Sequence, residues 1–316
     1  MDRRITQIIG GIVKETLDTS WALLKITIPV IIITKILEEL GLIIVLSNLL
    51  EPLMGVIGLP GELGLVWATA LLTNLYGAMI VFATLAPGLN LDIGQATIIC
   101  SAMLIAHSLP LEMTITKKAG APFWPIALLR LAGAFIYAFL LNSICRLFGI
   151  WQKPALILFT TEKASQSLLQ WTLSQLENFI LIIMVIFCII IIMKILRYIG
   201  VLSFFERVLE PILPFFGMSK KAAPVTVVGM IMGISYGGAL IIQETNSGKM
   251  DRREIFFSLA LMGLSHSLIE DTLLMVALGG HWGGLLVGRL IFSLLVIYLL
   301  VLATKKSDKE CRFGVS

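Results

Sequence analysis

Apolar residues run along this chain in blocks the length of a membrane crossing, each punctuated by a few polar groups. The clearest block is 179–193, FILIIMVIFCIIIIM, bounded by Asn178 and Lys194; 122–141 and 282–303 are two more. An α-helix needs about 20 apolar residues to cross a bilayer, so these windows predict transmembrane helices. Ahead of them, Ile5, Ile8, Ile9, Ile12, Val13 and Leu17 recur at helical spacing. That pattern predicts an amphipathic helix lying at the membrane surface over 1–20, and no cleavable signal peptide is expected.

Self-comparison adds the organisation. At an offset of 159, KILEELG (35–41) meets KILRYIG (194–200), and LEPLMGVIG (50–58) meets LEPILPFFG (209–217). Asp92 meets Asp251, AHSLPLE (106–112) meets SHSLIED (265–271), and Arg130 meets Arg289. Tyr76-Gly77 meets Tyr236-Gly237 at an offset of 160. Two repeats, 21–146 and 176–305, follow, with a linker carrying an amphipathic helix over 147–175 and a tail over 306–316. Each repeat reads as helix a (about 21–40; 178–199), a Glu-Pro segment, element b (62–86; 222–244), helix c (94–117; 253–278) and helix d (122–146; 282–304).

Positive charge orients the halves. The a–b connection holds Lys35 in the first half against Lys194, Arg197, Arg207, Lys220 and Lys221 in the second. The c–d connection reverses the bias, with Lys117 and Lys118 against none. Opposite bias at equivalent loops predicts oppositely oriented repeats with both termini cytoplasmic. A re-entrant element b then leaves 17 basic residues inside and 4 outside, whereas crossing b elements give 13 and 8. TNLYGAM and GISYGGAL, with glycine and polar residues in mid-segment, predict a break there. Broken backbone is tolerated at membrane depth where it faces protein or a wet cavity.

Composition agrees: 58% of residues are hydrophobic and 14% charged, against about 25% charged in soluble domains. The mean hydropathy is +0.96. A net charge of +4 fits cytoplasmic loops and not a nucleic-acid partner. Cys100, Cys145, Cys188 and Cys311 are scattered without CxxC spacing, which supports neither a disulfide framework nor a cysteine metal site.

The candidate chemistry is a set of ionisable groups inside apolar blocks. Read as a continuous helix c, HSLIEDT puts His266 and Glu270 on one face and Ser267 and Asp271 on the next. Ser108 and Glu112 repeat part of this set in the first half, after His107, but Leu111 replaces the glutamate and Pro110 bends the helix. Arg130 and Arg289 lie within helix d, and an arginine at mid-bilayer costs on the order of 2.5–3.5 kcal/mol. Glu112, Glu270 and Asp271 are the anions available to offset it. An Arg–carboxylate clasp between helices c and d and a guanidinium that holds solute are both open readings. The plain alternative ends helix c at HSLIEDT and leaves its polar groups among lipid headgroups. Two histidines donating to carbonyls would account for His107 and His266. A His-plus-carboxylate metal set is not assigned, because its members come from equivalent places in two halves. Asn74, Tyr76 and Tyr236 decorate the breaks; Glu51-Pro52 and Glu210-Pro211 read as turn-and-cap pairs.

The paired glycine-containing breaks, the duplicated HSL-acid segments and the arginine that follows resemble the Gate, or nucleoside-recognition, family. Its relatives include spore maturation proteins A and B, the membrane core of the ferrous-iron transporter B family and, more distantly, concentrative nucleoside transporters. The resemblance spans nearly the whole chain, one Gate unit per half, and implies a solute-translocating module. The iron transporters place a cysteine in the break; TNLYGA and ISYGGA have none, and no GTPase domain is expected here.

The expectation is therefore an all-α polytopic protein of a bacterial or archaeal plasma membrane, built from two inverted repeats. It would be a permease for a small polar solute, nucleoside-like or anionic, working by alternating access. His107, Glu112, Arg130, His266, Glu270, Asp271, Arg289, Asn74, Tyr76 and Tyr236 are the expected lining. No catalysis and no cofactor are expected; proton or sodium coupling and homo-oligomerisation are open. The rivals are a non-transporting assembly protein of the spore-maturation type and a divalent-metal permease.

Overall fold

The computed structural model describes residues 40–158, 168–248 and 250–313, with scattered positions between 11 and 39 that fall in helix. The start of the amphipathic lead-in, residues 1–10, lies outside the described residues, as does 159–167 of the linker. Among the described residues, β-structure is limited to one isolated bridge between Asp92 and Pro154. The rest of the regular structure is helical, as expected.

The first half contains α1 (Leu42–Val56), α2 (Glu62–Leu72), α3 (Leu75–Leu85), α4 (Ile93–Ile105), α5 (Leu109–Lys118) and α6 (Phe123–Phe148). The second contains α7 (Leu168–Tyr198), α8 (Val201–Leu209), α9 (Ala222–Met232), α10 (Ile234–Asn246), α11 (Arg252–Ser265) and α12 (Glu270–Ala277). A π-turn (Gly283–Gly288) and α13 (Arg289–Phe313) complete it. Five runs among the described residues are long and apolar enough to cross a membrane: Ile93–Lys118, Phe123–Phe148, Phe179–Tyr198, Arg252–Ala277 and Gly283–Thr304. The first and fourth are the most buried and form the centre; Phe179–Tyr198 is the least buried, which suits a helix against lipid. The last helix continues to Phe313, past the expected end of the repeat at 305.

The offset of 159 recurs in backbone detail. Asp92 and Asp251 cap α4 and α11 with the same φ of −84° and ψ of 168°. Each carboxylate accepts from the backbone N–H three residues on, Gln95 at 2.7 Å and Glu254 at 2.8 Å, and those side chains accept the cap residue's own N–H. Such capping boxes satisfy two of the four donors a helix start leaves unpaired.

Element b is two short helices in each half, packed side by side: α2 on α3 and α9 on α10. In the second half the reversal hangs on glycine. Gly233, at φ +95° and ψ 161°, occupies backbone space essentially reserved for that residue. A Cβ built on Gly237 would lie 2.3 Å from the Cα of Gly229, so the two backbones touch there. Residues eight apart in a straight helix are about 12 Å apart. The chain has folded back on itself. In the first half Asn74 starts α3 by accepting the Gly77 N–H at 2.8 Å.

Helix c departs from the expected continuous helix. α4 stops at Ile105 and α11 at Ser265, and the chain passes through Ser108 (φ +47°) and Ser267 (φ +45°) before α5 and α12 begin. His266 and Glu270 therefore do not share a helical face. Pro110 sits in the first turn of α5, where a missing N–H costs nothing, and starts a helix instead of bending one. The unwound stretches bond the helix ends of the b hairpins, which have spare carbonyls. Ser108 N–H donates to Ala70 O at 2.9 Å and its hydroxyl to Thr73 O at 3.0 Å; Leu268 N–H donates to Met230 O at 3.0 Å. The start of the linker is tied down as well. It exchanges backbone bonds with Leu91, Ile93 and Gly94, and Leu158 N–H reaches Ala277 O in the second half. Glu51 acts as the cap expected of it, accepting the Gly61 N–H at 2.7 Å ahead of α2.

Candidate functional site

The breaks in elements b and c of both halves meet around one cavity of about 260 Å³. Four helices, α3, α5, α10 and α12, begin at its wall. Of the expected residues, Asn74, Tyr76, His107, Glu112, His266, Glu270 and Asp271 line it. Glu112, Glu270 and Asp271 stand in the first turns of α5 and α12, where the helix dipole favours a carboxylate. Ser108, Gly233 and Ser267 line it too. Their place depends on positive φ at all three positions. Tyr236 belongs to the start of α10, but its side chain lies outside the described residues.

At the centre of the wall the two halves touch through counterparts. His107 Nε2 and His266 Nε2 are 3.2 Å apart, and 159 residues separate them in sequence. Each Nδ1 is 2.9 Å from the carbonyl four residues earlier, Met103 O or Met262 O. A carbonyl oxygen only accepts, so both Nδ1 atoms carry hydrogen and both Nε2 lone pairs point towards one another in the neutral rings. The expected donation to carbonyls is thus present, and it determines the tautomers. Glu112 Oε1 completes a triangle, 3.4 Å from His107 Nε2 and 3.3 Å from His266 Nε2. Asp271 is near as well: a carboxylate oxygen of it and one ring nitrogen of each histidine lie within 4.8 Å of one another. Both histidines and Glu112 are buried, with 6%, 2% and 5% exposure.

The two arginines part company. Arg130, fully buried, donates from Nε to Ile105 O at 2.9 Å, from Nη2 to His107 O at 3.0 Å and from Nη1 to Glu112 Oε2. That is the expected clasp, and it aims the other Glu112 oxygen at the histidines. Its stem passes Gly263, where a Cβ would be 3.1 Å from Arg130 Cδ. Arg289 is equally buried, but its Nε, Nη1 and Nη2 have no hydrogen-bond partner among the described residues. Two local differences separate the halves here. Aspartate at 271 is one methylene shorter than glutamate at 112, and the π-turn before Arg289 replaces the α-helical turn before Arg130. Neither arginine reaches the cavity surface.

His281, the third histidine, lies away from the cavity, stacked on Trp151 at 4.6 Å and on Trp282 at 5.7 Å.

Apolar helices of spanning length around a polar-lined cavity define an all-helical integral membrane protein. Residues 179–282 match the Gate family, described as nucleoside recognition. Over 271 residues, 83% of this chain and 84% of the relative, it is 26% identical to the uncharacterized membrane protein YvoD of Bacillus subtilis (strain 168). No solved structure matches.

Proposed function

We propose that the chain is a permease for a small polar solute, working by alternating access between two inverted repeats whose b hairpins are re-entrant. The observation that carries this reading is the His107–His266 contact. A two-fold axis relating the repeats would bring a side chain beside it against its own counterpart through the same atom, as the two histidines meet. The opposite charge bias of equivalent loops lays that axis in the membrane plane, with both termini cytoplasmic. Repeats related in that way, with broken helices starting at a midplane site, are a common build for secondary transporters. The cavity sits where the axis passes, with walls from both halves, so rocking one repeat against the other opens it to alternate sides.

The cavity's 260 Å³ admits a nucleoside-sized solute, and the Gate match over 179–282 points the same way. Ionisable residues on both halves suit proton or sodium coupling. The reading assigns binding roles to the cavity residues and no catalytic ones. Purified protein screened by thermal shift against nucleosides, nucleobases, organic anions and divalent cations should be stabilised by one of these classes. Tyr76→Phe and Glu270→Gln, which keep the packing volume, should weaken that stabilisation without lowering the unliganded melting temperature much. Stabilisation by none, together with no solute flux in proteoliposomes, would leave an assembly protein as the better reading.

A further inference from the structure

His107 Nε2, His266 Nε2 and Glu112 Oε1 form a triangle of three acceptor atoms with edges of 3.2, 3.3 and 3.4 Å. Lone pairs facing one another at that range repel unless a cation lies between them. The triad's own neighbouring donors are engaged elsewhere: both Nδ1–H groups bond carbonyls, and Arg130 takes the other Glu112 oxygen. The spacing itself is informative. An ion with bonds of about 2.0–2.2 Å in tetrahedral geometry sets its ligand atoms about 3.3–3.6 Å apart. The triangle is one face of such a tetrahedron. Asp271, already within 4.8 Å of a ring nitrogen of each histidine, is placed to supply or guard the fourth vertex.

We propose that this face binds a Zn²⁺-class divalent ion as the solute the cavity handles; the assignment rests on the permease reading above. Imidazole nitrogen suits zinc and its first-row neighbours, whereas magnesium and calcium demand oxygen ligands. The surroundings are those of a metal site. Each histidine donates its other ring N–H to a carbonyl, which orients the ring and raises its basicity. Arg130, itself held on Ile105 O and His107 O, orients the carboxylate.

The division of ligands is what makes the ion cargo. Glu112 and Asp271 stand at the same 159-residue offset as His107 and His266, so each repeat contributes one imidazole and one carboxylate. A permanent structural ion would weld the halves together. Ligands split between two moving bodies lose their joint grip when the repeats part, and the ion can leave. A cation also explains why the buried carboxylates gather round a histidine pair on this wall.

The test uses full-length protein in detergent with cobalt(II) as the spectroscopic stand-in for zinc. The expected result is the intense visible absorption of four-coordinate cobalt, bleached by stoichiometric zinc and by chelator. His107→Ala and His266→Ala should each weaken zinc binding by more than ~100-fold, since even loss of a ligand's supporting partner costs about 10–100-fold. His281→Ala should leave it unchanged. Should either site variant fail to fold, the wild-type spectrum and its displacement by zinc still decide the matter. No absorption, or absorption of six-coordinate type with weak displaceable binding, would mean a shared proton only between the rings and would overturn the metal assignment. The permease reading would then stand on the nucleoside and anion panels. In proteoliposomes loaded with a zinc-sensitive dye, wild type should carry zinc inward down its gradient. Tight binding without flux would overturn the cargo assignment.

Discussion

Arg130 and Arg289 occupy equivalent places and have opposite circumstances, so the same substitution should give opposite results. Arg130→Met strands the buried Glu112 carboxylate and frees two carbonyls. Breaking a buried ion pair by removing one partner costs on the order of 3–5 kcal/mol. Arg289→Met removes a buried guanidinium with no hydrogen-bond partner among the described residues, and a well-packed apolar replacement there should be neutral or stabilising. The prediction is a large drop in melting temperature for Arg130→Met and no drop for Arg289→Met, read on detergent-solubilised protein. Equal losses would mean that Arg289 is clasped as Arg130 is. If Arg289 is kept for transport, its replacement should still slow solute flux in proteoliposomes while leaving stability intact. Sequence showed that both arginines sit in apolar helices and that carboxylates were at hand. It showed a glutamate at 112 against an aspartate at 271, but neither the π-turn ahead of Arg289 nor the difference in hydrogen bonding between the two arginines.

Close glycine contacts and caps make separate predictions for the helical elements. A methyl at Gly237 would meet the Gly229 backbone, which has nowhere to retreat; overpacking of this kind costs about 1–3 kcal/mol and sometimes more. Gly237→Ala should therefore lower the melting temperature. Gly55→Ala, with nothing within 4 Å of its Cβ inside α1, should be neutral or raise it slightly. Similar losses in both variants would contradict the hairpin contact. Asp92→Ala and Asp251→Ala each remove a capping side chain and should each cost about 1 kcal/mol. The helices, their approximate ends and the break in element b were legible from apolar block length and the YGA and YGGA glycines. The break in helix c was not. Ser108 and Ser267 adopt left-handed backbone that serine rarely takes, and they hold it through neighbours distant in sequence, Ala70, Thr73 and Met230. Local pattern carries no trace of such partners. A proline at 110 hinted at a discontinuity in one half, and its second-half counterpart, Ile269, gave none.

On the scale of the whole molecule, duplication was visible from sequence at nearly every motif, but the meeting of equivalent residues was not. An offset says which residues are equivalent and nothing about whether they meet. For that reason the two histidine–carboxylate pairs looked like halves of two incomplete sites, when the contact at 3.2 Å makes them one. The proposed arrangement predicts a topology that is open to labelling. If the repeats are inverted and the hairpins re-entrant, the loop after α5 and the loop before α11 should face the cytoplasm, and the linker start after α6 should face outward. Lys118, Arg252 and Lys153 are exposed reporters of those three places. Single cysteines at 118 and 252, in a background lacking the four native cysteines, should resist a membrane-impermeant maleimide applied to intact cells and react once the membrane is opened. A cysteine at 153 should react in intact cells. Labelling of 118 from outside with 252 and 153 protected would mean that both b elements cross. The repeats would then run parallel, and the two-fold through the histidines would stand along the membrane normal. Alternating access by rocking two inverted halves would lose its geometric basis, while the histidine–carboxylate face would remain as a site on a pore axis.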